Sequence, residues 1–241
     1  MANPVIIDIS HHQPDPIDWA AVKRGGTIGV FHKATEGTSY IDDKLFSRMK
    51  AAKAAGLLTS TYHFMRESNM TGQMQHYLST IDPVQGERIV LDHECSGTTL
   101  AELEEAVGYI KTNRPDLQIT IYSGHQIKEQ LGSKRSEILA LNTSLWVAQY
   151  GPTVAWPTAT WPQWTLWQFT DEARCDGING YVDANRFNGS EEQLVKWMSP
   201  VGSSVPAPPI EPELTQVLVA ITQPPGVQVT VTINGEFVVT G

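Results

Sequence analysis

The sequence predicts an α/β fold: an irregular (β/α)8-like barrel with a small β-rich C-terminal appendage. Two observations point to the barrel. Short apolar runs alternate with helix-like patterns along residues 5–198, the mark of parallel strands joined by crossovers. There are about eight such runs, a number that suits a closed barrel better than an open sheet. A third observation points to the appendage: near residue 200 the composition turns to Pro and Ser, and period-two alternation follows.

The strands come first. "VIIDIS" (5–10), "IGVFHKA" (28–34), "LLTSTYHF" (57–64), "RIVLDHE" (88–94), "QITIYS" (118–123), "LWVAQY" (145–150) and "TLWQFT" (165–170) are short and rich in β-branched or aromatic residues. "YVDANRF" (181–187) is the eighth. Between them lie amphipathic helices. In "DDKLFSRMKAAKAAG" (42–56), Leu45, Met49 and Ala52 share a face and Gly56 is a stop. "TTLAELEEAVGYIKTNRP" (98–115) opens on a Thr N-cap, carries acids in its first turns and ends before Pro115. "NMTGQMQHYLSTID" (69–82) and "SEEQLVKWM" (190–198) complete the set. The stretch 151–164, rich in Pro and Trp, joins two strands as a loop, so the sixth and seventh units are expected to be degraded.

The barrel is assigned to residues 1–198, a semi-rigid linker to 199–213 and a β-rich tail to 214–241. Asn234–Gly235 between two alternating runs signals a hairpin. The tail is too small to bury much core alone, so it is expected to pack on something or self-associate.

Composition narrows the function. Hydrophobic residues make up 41%, enough for a sizeable core, and the net charge of −9 argues against nucleic acid or an anionic membrane surface as partner. No apolar run is long enough to span a bilayer. The start, "MANPVIIDIS", lacks the features of a secretory signal, so synthesis in the cytoplasm is expected. Cys95 and Cys175 read as two reduced thiols, with a disulfide left open.

The chemistry concentrates in "LDHE" (91–94). On a strand, Asp92 and Glu94 point to one side and His93 to the other. Their Cα atoms are then roughly 6.5 Å apart, and repulsion in a low-dielectric cleft raises at least one pKa. One protonated and one ionised carboxyl is what glycosidic cleavage needs. Asp8 and Asp183 sit near the ends of the first and last strands, which a closed barrel makes neighbours, so all four acids could converge at the mouth. Trp146, Trp156, Trp161, Trp164 and Trp167 crowd the late strands and fit a sugar substrate; Trp167 and Gln168 cannot both point inward. A rival reading takes His11, His12, His63 and His93 with Asp8 and Asp92 as metal ligands of an amidase or deacetylase. Regular strand geometry turns His93 away from Asp92, and His63 reads instead as a hydrogen-bonded residue at the barrel mouth. A catalytically dead sugar-binding barrel is a further alternative.

These segments carry a family resemblance. "IDISHHQPDPIDW" (7–19), "FHKATEGTSYIDDKLFSRMKAAKAAG" (31–56), "YHF" (62–64), "LDHE", "WVAQY" (146–150), "LWQFT" (166–170) and "VDANRF" (182–187), in order, resemble the family 25 glycoside hydrolases, the Chalaropsis-type lysozymes common among phage endolysins. The resemblance implies an irregular α/β barrel that cleaves the β-1,4 bond between N-acetylmuramic acid and N-acetylglucosamine in bacterial peptidoglycan, with no metal or other cofactor. It implies Glu94 as general acid, Asp92 as second acid, and Asp8 and Asp183 as the rest of an anionic pocket. It places Tyr62, Glu36 and Gln168 near the cleft, and Tyr122 and Trp146 join them as substrate-binding candidates. It also suggests a phage or prophage endolysin, made in the host cytoplasm and acting on the wall after release.

Overall fold

A computed structural model describes residues 5–202 and the backbone of 231–233 and 236–238. The chain divides into two compact units, Met1–Val205 and Pro206–Gly241. In the first, the chain order is β1 (Ile6–Ile9), α1 (Trp19–Arg24), β2 (Gly29–Glu36), β3 (Tyr40–Ile41), α2 (Leu45–Ala54), β4 (Leu58–Phe64), α3 (Met70–Ile81), β5 (Arg88–Asp92), α4 (Leu100–Asn113), β6 (Gln118–Ser123), α5 (His125–Leu131), α6 (Glu137–Asn142), β7 (Thr143–Ala148), β8 (Leu166–Ala173), β9 (Val182–Phe187) and α7 (Glu191–Met198). In the second, β10 (Val231–Ile233) pairs antiparallel with β11 (Glu236–Val238). The rest of the expected tail, the linker from residue 203 onward and the expected self-association lie outside the described residues.

Eight strands close a barrel in the order β1-β2-β4-β5-β6-β7-β8-β9, and β3 is an extra strand on β2. The pairs from β1–β2 through β7–β8 are parallel. The purely parallel expectation fails at β9, which runs antiparallel to both β8 and β1. Residues 174–181 between β8 and β9 are too few for a crossover, which takes a dozen or more residues, so the chain doubles back. As the sequence suggested, residues 151–164 make the β7–β8 crossover without a helix.

The helices start where their chemistry allows. Thr99 caps α4 with a reciprocal Thr99–Glu102 capping box, and Ser190 does the same for α7 with Gln193. Asn69 caps α3 through Gly72 N–H, and Gly56, at φ +79°, lets the chain leave α2. The short helices α1, α5 and α6 carry too few residues to show a period and went unread in the sequence.

Alternation along the strands builds separate cores. Ile89, Leu91, Ile119, Ile121, Leu145 and Val147 face outward under α3 and α4, where Met74, Tyr77, Leu103 and Val107 meet them. Ile7, Val30 and Val182 meet Val22 and Ala52 on the other side. Ile6, Phe31, Val90, Trp146 and Leu166 fill the barrel, closed below by Leu194 and Met198 of α7. Near that floor, buried Arg88 donates to Trp197 O (2.9 Å) and Thr120 Oγ1 (3.1 Å) and stacks on the Trp197 ring.

Candidate active site

Asp8, Asp92, Glu94 and Asp183 line one open pocket, together with Tyr62, Tyr122 and Trp146. Strand alternation brings most of them: Asp92 follows inward Val90 on β5, Tyr122 follows Thr120 on β6, and Asp183 shares β9 with inward Asn185, while Glu94 lies two residues past the end of β5.

Asp8 and Asp183 are direct cross-strand partners on β1 and β9. Like charges so placed repel, and the pair relieves this by sharing a hydrogen bond, which needs a proton. Burial lifts the Asp8 carboxyl well above its ordinary value and the facing charge of Asp183 adds to this, while amide donors oppose it. Those donors are Asn185 Nδ2 to Oδ2 (2.7 Å) and Gln168 Nε2 to Oδ1 (3.1 Å). Gln168 Nε2 also reaches Asp183 Oδ2 at 3.3 Å. The amide orientations are themselves fixed. Trp146 Nε1 donates to Asn185 Oδ1 (2.7 Å) and the Tyr122 hydroxyl to Gln168 Oε1 (2.8 Å), so the NH2 groups face the acids.

Asp92 is less well satisfied. It is 4% exposed, and its Oδ1 is buried without a hydrogen-bond partner. Burial raises its pKa well above the ordinary value, the charge of Glu94 adds to this, and Lys33 opposes. Glu94 stands at the mouth with its side chain open to solvent. Crowding by the pocket wall raises its pKa first, then the charge of Asp183, again against Lys33. The result is a carboxyl that holds its proton longer than a free glutamate yet remains reachable from solution. Tyr62 and Tyr122 stay phenolic beside these acids, because burial and then the carboxylate charges push both well up.

The four expected acids thus converge, with Tyr62, Tyr122 and Trp146 beside them. Two candidates sit elsewhere. Glu36 is not a pocket residue; it bridges Lys33 and Arg66. Gln168, 1% exposed, lies beneath Asp8 and Asp183 and serves them instead of facing a ligand. Trp146 is 1% exposed and forms the floor. Of the other tryptophans, Trp161 and Trp167 are buried in the outer core and Trp156 and Trp164 pack against it, so they offer no sugar platform at the mouth. Trp167 points out and Gln168 in.

His63 and His93 are engaged away from the four pocket acids. His63 is bound between Thr35 and Gln73, outside the barrel wall and not at its mouth as expected. The step of β4 that turns Tyr62 in turns His63 out. His93 is held by Thr98 and Gln130. Among the described residues no group of three or more His, Cys, Asp and Glu side chains is arranged to hold a metal ion. Cys95 and Cys175 are both free thiols.

Three residues went unread in the sequence. Asn185 sits inside a motif that was noticed, but its bond to Asp8 spans 177 residues. Lys33 is masked because the inward positions before it on β2, Gly29 and Phe31, are apolar. Tyr150, 55% exposed, is an exposed aromatic within electrostatic reach of these acids; its phenol is pushed well up by burial and then by the charge of Asp183.

Comparisons with known proteins agree with this geometry. The model for "Glycosyl hydrolases family 25" matches residues 7–178. Lysozyme M1 of Streptomyces globisporus is 30% identical, over 78% of this chain and 69% of its own. The crystal structure of the bacterial lysozyme from Streptomyces coelicolor superposes with a TM-score of 0.69 at 29% identity, covering 82% of this chain and 98% of that one. A muramidase from Trichobolus zukalii gives a TM-score of 0.67 at 28% identity, covering 82% and 99%.

Proposed function

The chain belongs to glycosyl hydrolases family 25 and is a glycosidase of the lysozyme type, and on that premise we propose that it cleaves the β-1,4 bond between N-acetylmuramic acid and N-acetylglucosamine in bacterial peptidoglycan. One observation carries the reading: a solvent-reachable acid with a raised pKa, Glu94, beside a buried and poorly satisfied one, Asp92. Glu94 donates its proton to the leaving oxygen. Asp92 lies where positive charge develops at the anomeric carbon, and it either stabilises that charge or orients the substrate's 2-acetamido group for attack. The Asp8–Asp183 pair, braced by Asn185 and Gln168, keeps further negative charge on the same side of the pocket.

Digestion of defined peptidoglycan, with mass analysis of the new reducing ends, tests the bond. New ends at N-acetylmuramic acid are expected; new ends at N-acetylglucosamine, or released peptides or acetate, would refute it. Glu94→Gln is expected to lower turnover by about 10²-fold or more, the usual worth of a positioned acid, with an unchanged circular dichroism spectrum. Near-native turnover would remove Glu94 from the role.

The setting we propose is lysis of a host wall late in a phage or prophage cycle, with release from the cytoplasm by a separate membrane pore. A likeness to the structure of the CTP1L endolysin, with a TM-score of 0.65 at 26% identity over 80% of this chain and 68% of that one, supports it. Cytoplasmic expression should leave cells intact until a pore-forming protein is co-induced; lysis without a pore would count against this route.

A further inference from the structure

The strand that carries Lys33 breaks its own alternation. In a regular strand Lys33 and Glu36 would face opposite sides, because they are three residues apart. Instead β2 steps past one residue: Lys33 pairs with Tyr62 and Thr35 with His63, so Ala34 is the extra residue of a bulge. The phase flips there. Thr35 faces out to His63, and Glu36 joins Lys33 on the inner side, level with Phe64. Lys33 Nζ is ion-paired to Glu36 Oε2 and lies 4.7 Å from the Phe64 ring centre and 5.6 Å from that of Tyr40. Arg66 grips the other oxygen of Glu36 through Nε at 2.7 Å and through its terminal nitrogen, with its guanidinium also over Phe64.

The ammonium is therefore buried within electrostatic reach of Asp92 and Glu94 but hydrogen-bonded to neither. Without its leash it would swing to the nearest unsatisfied carboxylates. We propose that Glu36 is a positioning residue, anchoring Lys33 against Phe64 and Tyr40 so that its ammonium does not close on Asp92 and Glu94. This rests on the reading of Glu94 as the proton donor: a lysine paired to it would favour the ionised form and empty the acid.

The other groups facing Glu94 do not take this role. Asp8, Asp92 and Asp183 share its pocket from β1, β5 and β9, and the charge of Asp183 acts on it in the opposite sense. Tyr62, Tyr122 and Tyr150, on β4, β6 and just past β7, remain neutral phenols. Arg66 is committed to Glu36.

The test is the pH profile of kcat/KM on solubilised glycan for four variants. Glu36→Gln frees Lys33, and its upper limb should move to lower pH by about one unit or more, the usual effect of a cation brought within contact of a carboxyl. Lys33→Met should move the limb the other way, and Lys33→Met with Glu36→Gln should follow Lys33→Met alone. A merely structural Glu36 would lower the melting temperature and scale the profile without displacing it. That result, or a displacement by Glu36→Gln that persists without Lys33, overturns the proposal. Glu94→Gln is the control: near-native turnover there overturns the reading of the acid, whereas an inactive Glu94→Gln with an undisplaced Glu36→Gln overturns the leash alone.

Discussion

Asp92 shows what the pocket costs. A carboxyl that is 4% exposed with a partnerless oxygen is poor for stability. Its folded pKa is raised well above the unfolded value of about 3.9, so the folded state binds the proton more tightly. The stability linked to that proton is complete below about pH 4 and is lost as pH rises through the folded pKa. Asp92→Asn removes the titration. Its melting temperature at pH 7 should exceed that of the wild type by about 2–4 °C for each kcal/mol relieved, and the gap should close toward pH 4, while glycan cleavage falls. Calorimetry across pH 4–7 checks this; a variant less stable than wild type at both ends would mean Asp92 holds structure instead. "LDHE" revealed this site because the two carboxyls lie two residues apart where β5 ends. The supports of Asp8 stayed hidden because Asn185 and Gln168 meet it across gaps of up to 177 residues, and Trp146 reaches it only through Asn185.

At the level of elements, the turn between β8 and β9 is the part that local pattern could not supply. Gly177, at φ +91°, brings its backbone against α1: Asp18 N donates to Gly177 O (2.9 Å), and a Cβ on Gly177 would lie 2.3 Å from the Asp18 carbonyl oxygen. Asp18 is also the N-cap of α1, through Ala21 N–H. Gly177→Ala therefore strains the turn and the cap together. It should cost about 1–3 kcal/mol, a fall of about 2–4 °C in melting temperature per kcal/mol. Gly108, inside α4 with open space around its Cβ position, predicts the opposite sign. Gly108→Ala should gain about 0.5–1 kcal/mol by helix propensity. Thermal denaturation of the pair decides whether the tertiary contact, and not glycine content, sets the difference. Strands and long helices were legible because each repeats its period several times. The six- and seven-residue helices α1, α5 and α6 were not, since less than two turns carries no stripe.

Across the whole chain, the net charge of −9 opposes approach to a wall bearing anionic polymers. Raising ionic strength from about 0.01 M to about 0.15 M shortens the screening length from about 30 Å to about 8 Å. Lysis of intact walls should accelerate over that range, while cleavage of a neutral soluble glycan stays nearly flat. Turbidity and reducing-end assays run in parallel would show it, and equal salt responses would place the effect in the pocket instead. The unit boundary at Val205 makes a second prediction. A chain ending at Val205 should keep its thermal transition and its rate on soluble glycan, leaving any contribution of Pro206–Gly241 to appear only on whole walls. Loss of the transition would make the two units one cooperative body.

The sequence by itself determined the eight barrel strands, the acid pair Asp92 and Glu94 and the helix-free β7–β8 crossover, because each follows from a period of two or from composition over a few residues. Only the tertiary structure decided that β9 runs antiparallel, that the tryptophans mostly serve the outer core, and that a bulge at Ala34 turns Glu36 toward Lys33. The physical reason is the same in each case. A side chain's direction along a strand is a local property, but its partner is chosen by whichever distant groups the closed barrel brings within hydrogen-bonding distance, and a single inserted residue reverses every facing after it.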